Sequence, residues 1–272
     1  MIKIKEKTDF LTELNSGFPG NHRDMGCFFQ VSLLFLLFCL PAIAYGDPPS
    51  ANESIRRGNL LKLAEAGNPE AQFKLGMLYI SAEGENNDLV AGVKWFQQAA
   101  RNGHPLGQTS FAYAYFTGAG IGADDHAAFF WLNQAVKKER LFAPYFLGIM
   151  YDTGRGVEMN ASEAFHWYLQ SALHGHYFAL GALANIYETG SGPTKDLVEA
   201  HALYELATEI MKKLENKNLP FYHSGEIKHL RRIALRRRAM IAKELSPEAL
   251  REAQQRKKIW EQKLYLLKKK GE

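Results

Sequence analysis

The sequence predicts an all-α fold, a solenoid of about four helix-turn-helix repeats closed by further helices at its C-terminal end. The first observation behind this is a recurrence. Tyr79, Tyr115, Tyr151 and Tyr187 stand 36 residues apart, as do Gly76, Ala112, Gly148 and Ala184, and Gly84, Gly120, Gly156 and Gly192. Trp95, Trp131 and Trp167 keep the same offset, with Leu203 in the fourth place. Columns held through four copies define a repeat array. The second observation is the plan of one copy: a helix, a glycine-bearing turn and a second helix. A single hairpin of this kind cannot bury its own apolar face, so the copies must stack into one continuous core. The third is composition. With 46% apolar and 23% charged residues over 272 positions, the chain has ample material for a packed core.

Residues 1–46 come first and read as a signal peptide or signal anchor. Residues 1–24 are polar, with Lys3, Lys5, Lys7 and Arg23, and Cys27 to Ala44 then runs almost unbroken through Phe, Val, Leu and Ile. Small residues at Ala42, Ala44 and Gly46 suit cleavage, and the true start is either Met1 or Met25. If the segment is not cut, residues 27–44 are an anchor at the short limit for spanning a bilayer. Both cysteines, Cys27 and Cys39, lie inside this run, so a cleaved chain has no disulfide, thiol nucleophile or cysteine metal site.

A linker, 47–53, leads to an N-terminal capping helix, 54–68, that matches the second helix of a repeat and covers the open end of the stack. Four repeats follow at 69–104, 105–140, 141–176 and 177–212, within an array spanning 69–216. First helices start near Pro69, Pro105, Phe142 and Tyr177, and second helices near Asp88, Asp124, Ala161 and Asp196. The three aspartates fit N-caps or first-turn acids. The small column lets paired helices approach closely, the tyrosine and tryptophan columns read as core, and the turn glycine supplies a backbone with φ above zero.

Leu219-Pro220 interrupts the fifth first helix. The basic helical region 217–272 follows. One helix begins near Gly225 with Ile227, Leu230, Ala234, Ile241 and Leu245 on one face and a basic patch, Arg231, Arg232, Arg236, Arg237 and Arg238, on the other. Ser246-Pro247-Glu248 starts a last helix carrying Leu250, Ala253, Trp260, Leu264 and Leu267, with a frayed end from Lys268. Charge divides along the same boundary. Residues 47–207 hold 11 Lys and Arg against 17 Asp and Glu, whereas residues 208–272 hold 18 against 8. The arginine-rich helix has little aromatic interleaving, so nucleic acid is not its expected partner. It reads as a solvated face, as a contact for anionic lipid, or as a helix docked on the acidic array of its own or another subunit.

The pattern Ala143-x4-Gly148-x2-Tyr151-x2-Gly154-x-Gly156-Val157, then Ala164-x2-Trp167-Tyr168-x3-Ala172-x2-Gly175, resembles the Sel-1-like repeat, a tetratricopeptide-type helical hairpin. The resemblance covers about residues 55–210, and Leu245 to Gln254 resembles the closing helix of exported bacterial members. Departures are Ala82 at a turn glycine, Glu139 in the Gly103 column and the missing fourth tryptophan. The resemblance implies a right-handed α-solenoid and an adaptor that holds other proteins on its concave surface, and the N-terminal segment implies a place in the periplasm or outside the cell, or at the inner membrane if it is not cut. The resemblance also implies a second reading, since cysteine-rich secreted relatives have been linked to β-lactam binding or hydrolysis. Those depend on one disulfide per repeat, which this chain lacks.

First-helix columns outside the repeat signature are expected to face the concave side. They include Phe73, Lys74, Met77, Tyr113, Tyr145, Phe146, Ile149 and Asn185, an aromatic and polar mixture suited to a protein partner. The alternative reading is packing between hairpins. His174-Gly175-His176 looks like a metal pair but occupies a repeat turn without Cys or acids at ligand spacing, so no metal is expected. Gly118-x-Gly120-x-Gly122 follows a helix and not a strand, so it is not a phosphate loop. There is no nucleophile elbow or ordered triad, and neither catalysis nor a cofactor is expected.

Overall fold

The computed structural model describes residues 51–81, 88–139, 141–215 and 224–270, which belong to one compact unit. The apolar run at 27–44, the turn holding Ala82 and Gly84, and Leu219-Pro220 lie outside the described residues. Among those described there are eleven helices and no strand. They are α1 (Ala51–Glu65), α2 (Pro69–Ser81), α3 (Leu89–Arg101), α4 (Pro105–Thr117), α5 (Asp125–Ala135) and α6 (Ala143–Thr153). Then come α7 (Ala161–Leu173), α8 (Tyr177–Thr189), α9 (Leu197–Glu215), α10 (Ser224–Glu244) and α11 (Pro247–Lys270). From α1 to α10 each helix packs against the next, and α2/α3, α4/α5, α6/α7 and α8/α9 form the repeated hairpins. This is an α-solenoid.

The second helices start where a side chain can satisfy the free N–H groups of a first turn. Asp88 accepts from Ala91 N–H and Asp124 from Ala127 N–H, each at 2.9 Å. Asn160 accepts from Ser162 and Glu163, and Asp196 from Val198 and Glu199. First helices are capped by an asparagine in the first copy and by a histidine in the second and fourth. Asn68 Oδ1 caps Ala71 N–H at 2.9 Å, and His104 Nδ1 caps Gly107 N–H at 2.9 Å. The third copy departs from this plan. Glu139 is buried, and its carboxylate accepts from the N–H groups of Leu141, Phe142 and Ala143. Its replacement of the column's glycine is therefore a capping device for α6, which begins at Ala143 and has no cap from Phe142.

The turn glycines are where successive hairpins touch. Gly156 has φ +67°, and a Cβ there would stand 2.3 Å from the Asp125 carbonyl oxygen at the start of α5. Gly120, at φ +73°, would place a Cβ 2.8 Å from the Leu89 carbonyl at the start of α3. The glycine column thus serves backbone conformation and backbone approach together. Arg155 ties the same junction, donating from Nε to Asp125 Oδ2 at 2.9 Å and lying 3.7 Å over the Phe116 ring. On the first helices the small column accommodates aromatic rings of the partner helix. A Cβ on Gly76 would meet the Phe96 ring at 2.7 Å, and one on Gly148 the Tyr168 ring at 2.6 Å.

Some boundaries and burials differ from the sequence reading. α1 starts at Ala51, three residues before Ser54, because the proline pair ends at Pro49 and no later residue before Gly58 breaks a helix. α11 continues to Lys270 with no breaker between Pro247 and that point. The tyrosine and tryptophan columns are half-buried. The tyrosines sit at junctions between hairpins, as when Phe129 meets Tyr151 edge-on at 5.7 Å and Phe165 meets Tyr187 at 5.6 Å, whereas Trp131 meets Phe111 of its own hairpin at 5.5 Å. The innermost layer comes instead from two neighbouring columns: Leu75, Phe111, Leu147 and Leu183 on the first helices, and Phe96, Leu132, Tyr168 and Tyr204 on the second.

Gly156→Ala is expected to cost about 2–4 kcal/mol, from left-handed backbone and from overpacking together. Gly175→Ala, at φ +90° with no atom near its Cβ, should cost only the backbone part, about 1–2 kcal/mol. Urea unfolding of the two variants checks the difference.

Candidate functional site

The structure places the expected first-helix residues along successive hairpins and packs most of them. Phe73, Met77, Tyr113, Tyr145, Phe146 and Ile149 are buried, none more than 5% exposed. Their rings meet one another across hairpins. Tyr113 on α4 lies 5.4 Å from Phe146 on α6, and Tyr145 lies 6.2 Å from Phe178 on α8 and 5.9 Å from Tyr168 on α7. Phe73 stacks on His104 at 4.7 Å. Packing is the role that the structure shows for these six. Lys74 is exposed and pairs with Glu70 at 2.9 Å, and Asn185 is half-exposed.

His174 and His176 have separate tasks. His174 is the exposed C-cap of α7. His176 is buried among Phe142, Tyr145, Tyr177 and Phe178, and its Nδ1 accepts from Ala179 N–H at 3.3 Å. An accepting Nδ1 requires the neutral ring with its proton on Nε2, and burial lowers its pKa to about 3. Among the described residues no group of three or more His, Cys, Asp or Glu is placed to hold a metal.

The basic region is divided by its packing. Both α10 and α11 lie against α9, the longest second helix, and α11 also touches α7. Ile227, Leu230, Ala234 and Ile241 of α10 and Ala253 and Trp260 of α11 are buried there. Acids on the fourth repeat receive the cations at the edges of this apolar contact. Arg237 reaches Glu188 at 3.1 Å, and Arg238 approaches Glu205 at 3.8 Å. Arg256 pairs with Asp196 and Glu199 at 2.5 and 3.1 Å, Lys257 with Glu205 and Glu209, and the Trp260 indole donates to Glu199 at 2.6 Å. The expected five-arginine patch is therefore corrected. Arg237 and Arg238 turn inward, Arg231 is half-buried, and only Arg232 and Arg236 are fully on the surface.

The electrostatics follow from this geometry. Burial pushes the Asp196 carboxyl upward, but the N–H groups of Glu199 and Val198 and the Arg256 guanidinium outweigh it, and its pKa is lowered. Burial likewise opposes the charge on Arg256 and Lys257. Carboxylates of Asp196, Glu252 and Glu199 around the first, and of Glu209 and Glu205 around the second, raise both pKa values regardless. Sequence reading offered docking of the basic helix on the acidic array as one alternative, and it singled out the arginines without naming the acids that receive them. The signal was present in the columns: Gln97, Asn133, Leu169 and Glu205 share one, and Arg101, Lys137, Leu173 and Glu209 another. Only the last copy is acidic at either position.

Comparisons with known proteins agree with this architecture. The family described as Sel1 repeat matches residues 69–104, 106–139, 142–176 and 177–209. Among solved structures the fold is similar to that of a protective antigen present in uropathogenic Escherichia coli strains, described as displaying an SLR fold. The TM-score is 0.65 and the identity 22%, over 88% of this chain but only 46% of that one. A Sel1 repeat protein from Oxalobacter formigenes is similar with a TM-score of 0.53 and 27% identity, over 66% of this chain and 78% of its own. No curated protein matches by sequence.

Two outcomes follow for these contacts. His176 titrates near 6.5 when unfolded and well below that when folded, so the unfolded chain takes the proton first as pH falls. Stability should be full above about pH 6.5 and decline toward pH 4, and His176→Asn, which keeps a cap acceptor, should flatten that decline in urea titrations. Arg256→Met leaves Asp196 and Glu199 without their cation, in a contact that is partly open to solvent. It should cost about 1–2 kcal/mol at low ionic strength and less in 1 M salt, read by thermal unfolding at the two salt levels.

Proposed function

The chain belongs to the Sel1 repeat family, and on that premise we propose that it is a non-catalytic scaffold that holds other proteins along the first-helix side of its array. The observation that carries this reading is the unbroken row Tyr113, Phe146, Tyr145 and Phe178, neighbouring rings 5.4–6.2 Å apart across three successive first helices. Rings locked together in this way give the face a stiff floor, which limits the ordering cost of binding. Lys74 on α2, the first helix of the preceding hairpin, and Asn185 on α8 offer polar contacts on the same series of first helices. Repeat families commonly assign binding to such a surface, and the site, not the fold, decides the partner.

Export belongs to the same proposal. Its support is the sequence alone: a polar lead, the apolar run 27–44 and small residues at Ala42, Ala44 and Gly46 before Asp47-Pro-Pro-Ser. The scaffold would then work in the periplasm or outside the cell, or remain held at the inner membrane if the segment is kept.

The test is an affinity capture of the full-length chain from its own cell, with cell fractionation and N-terminal sequencing of the same sample. A Lys74→Glu/Asn185→Lys variant, changed only at accessible side chains, should keep its fold and lose at least tenfold of the captured partner, with a mature N-terminus near Asp47. Capture unchanged in this variant but abolished by deleting 224–272 would move the binding element to the C-terminal helices and contradict the proposal.

A further inference from the structure

The outward face of α11 is left unused by the docking on α9. Ala253 and Trp260 define its buried side, and opposite them residues three, four and seven apart share one exposed surface. That surface carries Arg251, Lys258 and Lys269, with Ile259, Tyr265 and Leu266 between and beside them. The three apolar side chains are 49%, 59% and 57% exposed, unusually open for residues of that size. Cations outnumber Glu248, the acid at the N-terminal end of this face, and the acids flanking it are already paired. Glu252 binds Arg256 at 2.6 Å, and Glu261 lies 3.9 Å from Lys257. Lys269 stands over the Tyr265 ring at 5.3 Å, its charge held beside the aromatic face.

We propose that this face of α11 docks on an anionic lipid surface, with Ile259, Tyr265 and Leu266 entering the headgroup layer and Arg251, Lys258 and Lys269 meeting the lipid phosphates and carboxylates. Charge complementarity selects the occupant. A second copy of the chain would bring cations against cations on this face. An acidic protein would satisfy the lysines but would not by itself account for three large apolar side chains left open among them. A lipid surface takes both, since lysine stems extend along apolar surface while their heads remain at the polar boundary. The ion pairs on the opposite face hold α11 flat against α9, so it presents this side as a fixed surface and not as a free tail. An apolar run at 27–44 in the same chain would bring it to a membrane, whether as a signal or as an anchor.

The experiment is flotation of the full chain with vesicles of phosphatidylcholine alone and with one third phosphatidylserine. An apolar N-terminal segment partitions into both kinds, so the ratio of the two affinities isolates the charged contact. The expected ratio is at least tenfold in 0.1 M salt, falling severalfold in 0.5 M salt. Lys258→Glu/Lys269→Glu should bring the ratio to within about twofold of unity, and Leu266→Ser should lower binding to the anionic vesicles severalfold. Circular dichroism of each variant should match the parent, as all three positions are solvent-facing. A ratio near unity in the parent chain overturns the proposal. So does a ratio that survives Lys258→Glu/Lys269→Glu but is lost in Arg232→Glu/Arg236→Glu, which would place the contact on α10. Retention on immobilised polyglutamate with no vesicle preference overturns it in favour of an acidic protein partner.

Discussion

Each hairpin in this chain has an apolar side that only its neighbour can cover, and the rest of the structure follows from that constraint. It explains why Gly120 and Gly156 bring the backbone of one turn against the first residues of the preceding second helix. It explains the layer of Leu75, Phe111, Leu147 and Leu183 facing Phe96, Leu132, Tyr168 and Tyr204, since those positions are enclosed whichever copy they occupy. It also sets a problem at each end of the array, where a neighbour is missing. At the start, α1 packs on α2 as a lone second helix.

At the other end the solution is electrostatic as well as apolar. The fourth second helix is lengthened to 19 residues and carries acids at positions where earlier copies have amides, leucine or cations. Two helices with matching cations lie on it, one in sequence with the stack and one also reaching α7. Buried apolar residues such as Leu230, Ala253 and Trp260 supply most of the attraction, and the pairs at Asp196, Glu199 and Glu205 set the position and direction of each helix. The opposed charges of the two halves of the sequence are in this way one contact. What is left over is a smaller set of surface cations, including Arg232, Arg236, Lys258 and Lys269.

Much of the fold was legible because repetition multiplies weak local signals. The 36-residue offset located the hairpins, and Asp88, Asp124 and Ser246-Pro247 marked helix starts through capping chemistry that acts within three residues. Burial was less legible. The tyrosine column recurs because it sits at the junction between copies, which leaves it half-open, whereas the enclosed Leu75 and Phe96 columns vary more in residue type. Glu139 looked like a flaw in the pattern and is a three-fold acceptor, a role that depends on a bend in the chain no periodicity encodes. The candidate binding residues were placed on the right helices, but whether a ring such as Tyr145 faces a neighbour or solvent depends on partners some 30 residues away, such as His176 and Phe178. The arginines of α10 diverged for the same reason, since Glu188 and Glu205 are remote in sequence.

The central claim is that α10 and α11 are the missing neighbour of the fourth repeat. It is tested most directly by native-state hydrogen exchange on the chain ending at residue 216, compared with the full chain. The account predicts that amides of α8 and α9 lose most of their protection while those of α2 to α7 keep theirs, because only the last apolar face is uncovered. Protection of α9 unchanged by the truncation would show that the fourth repeat is complete without the two helices, and would contradict the account.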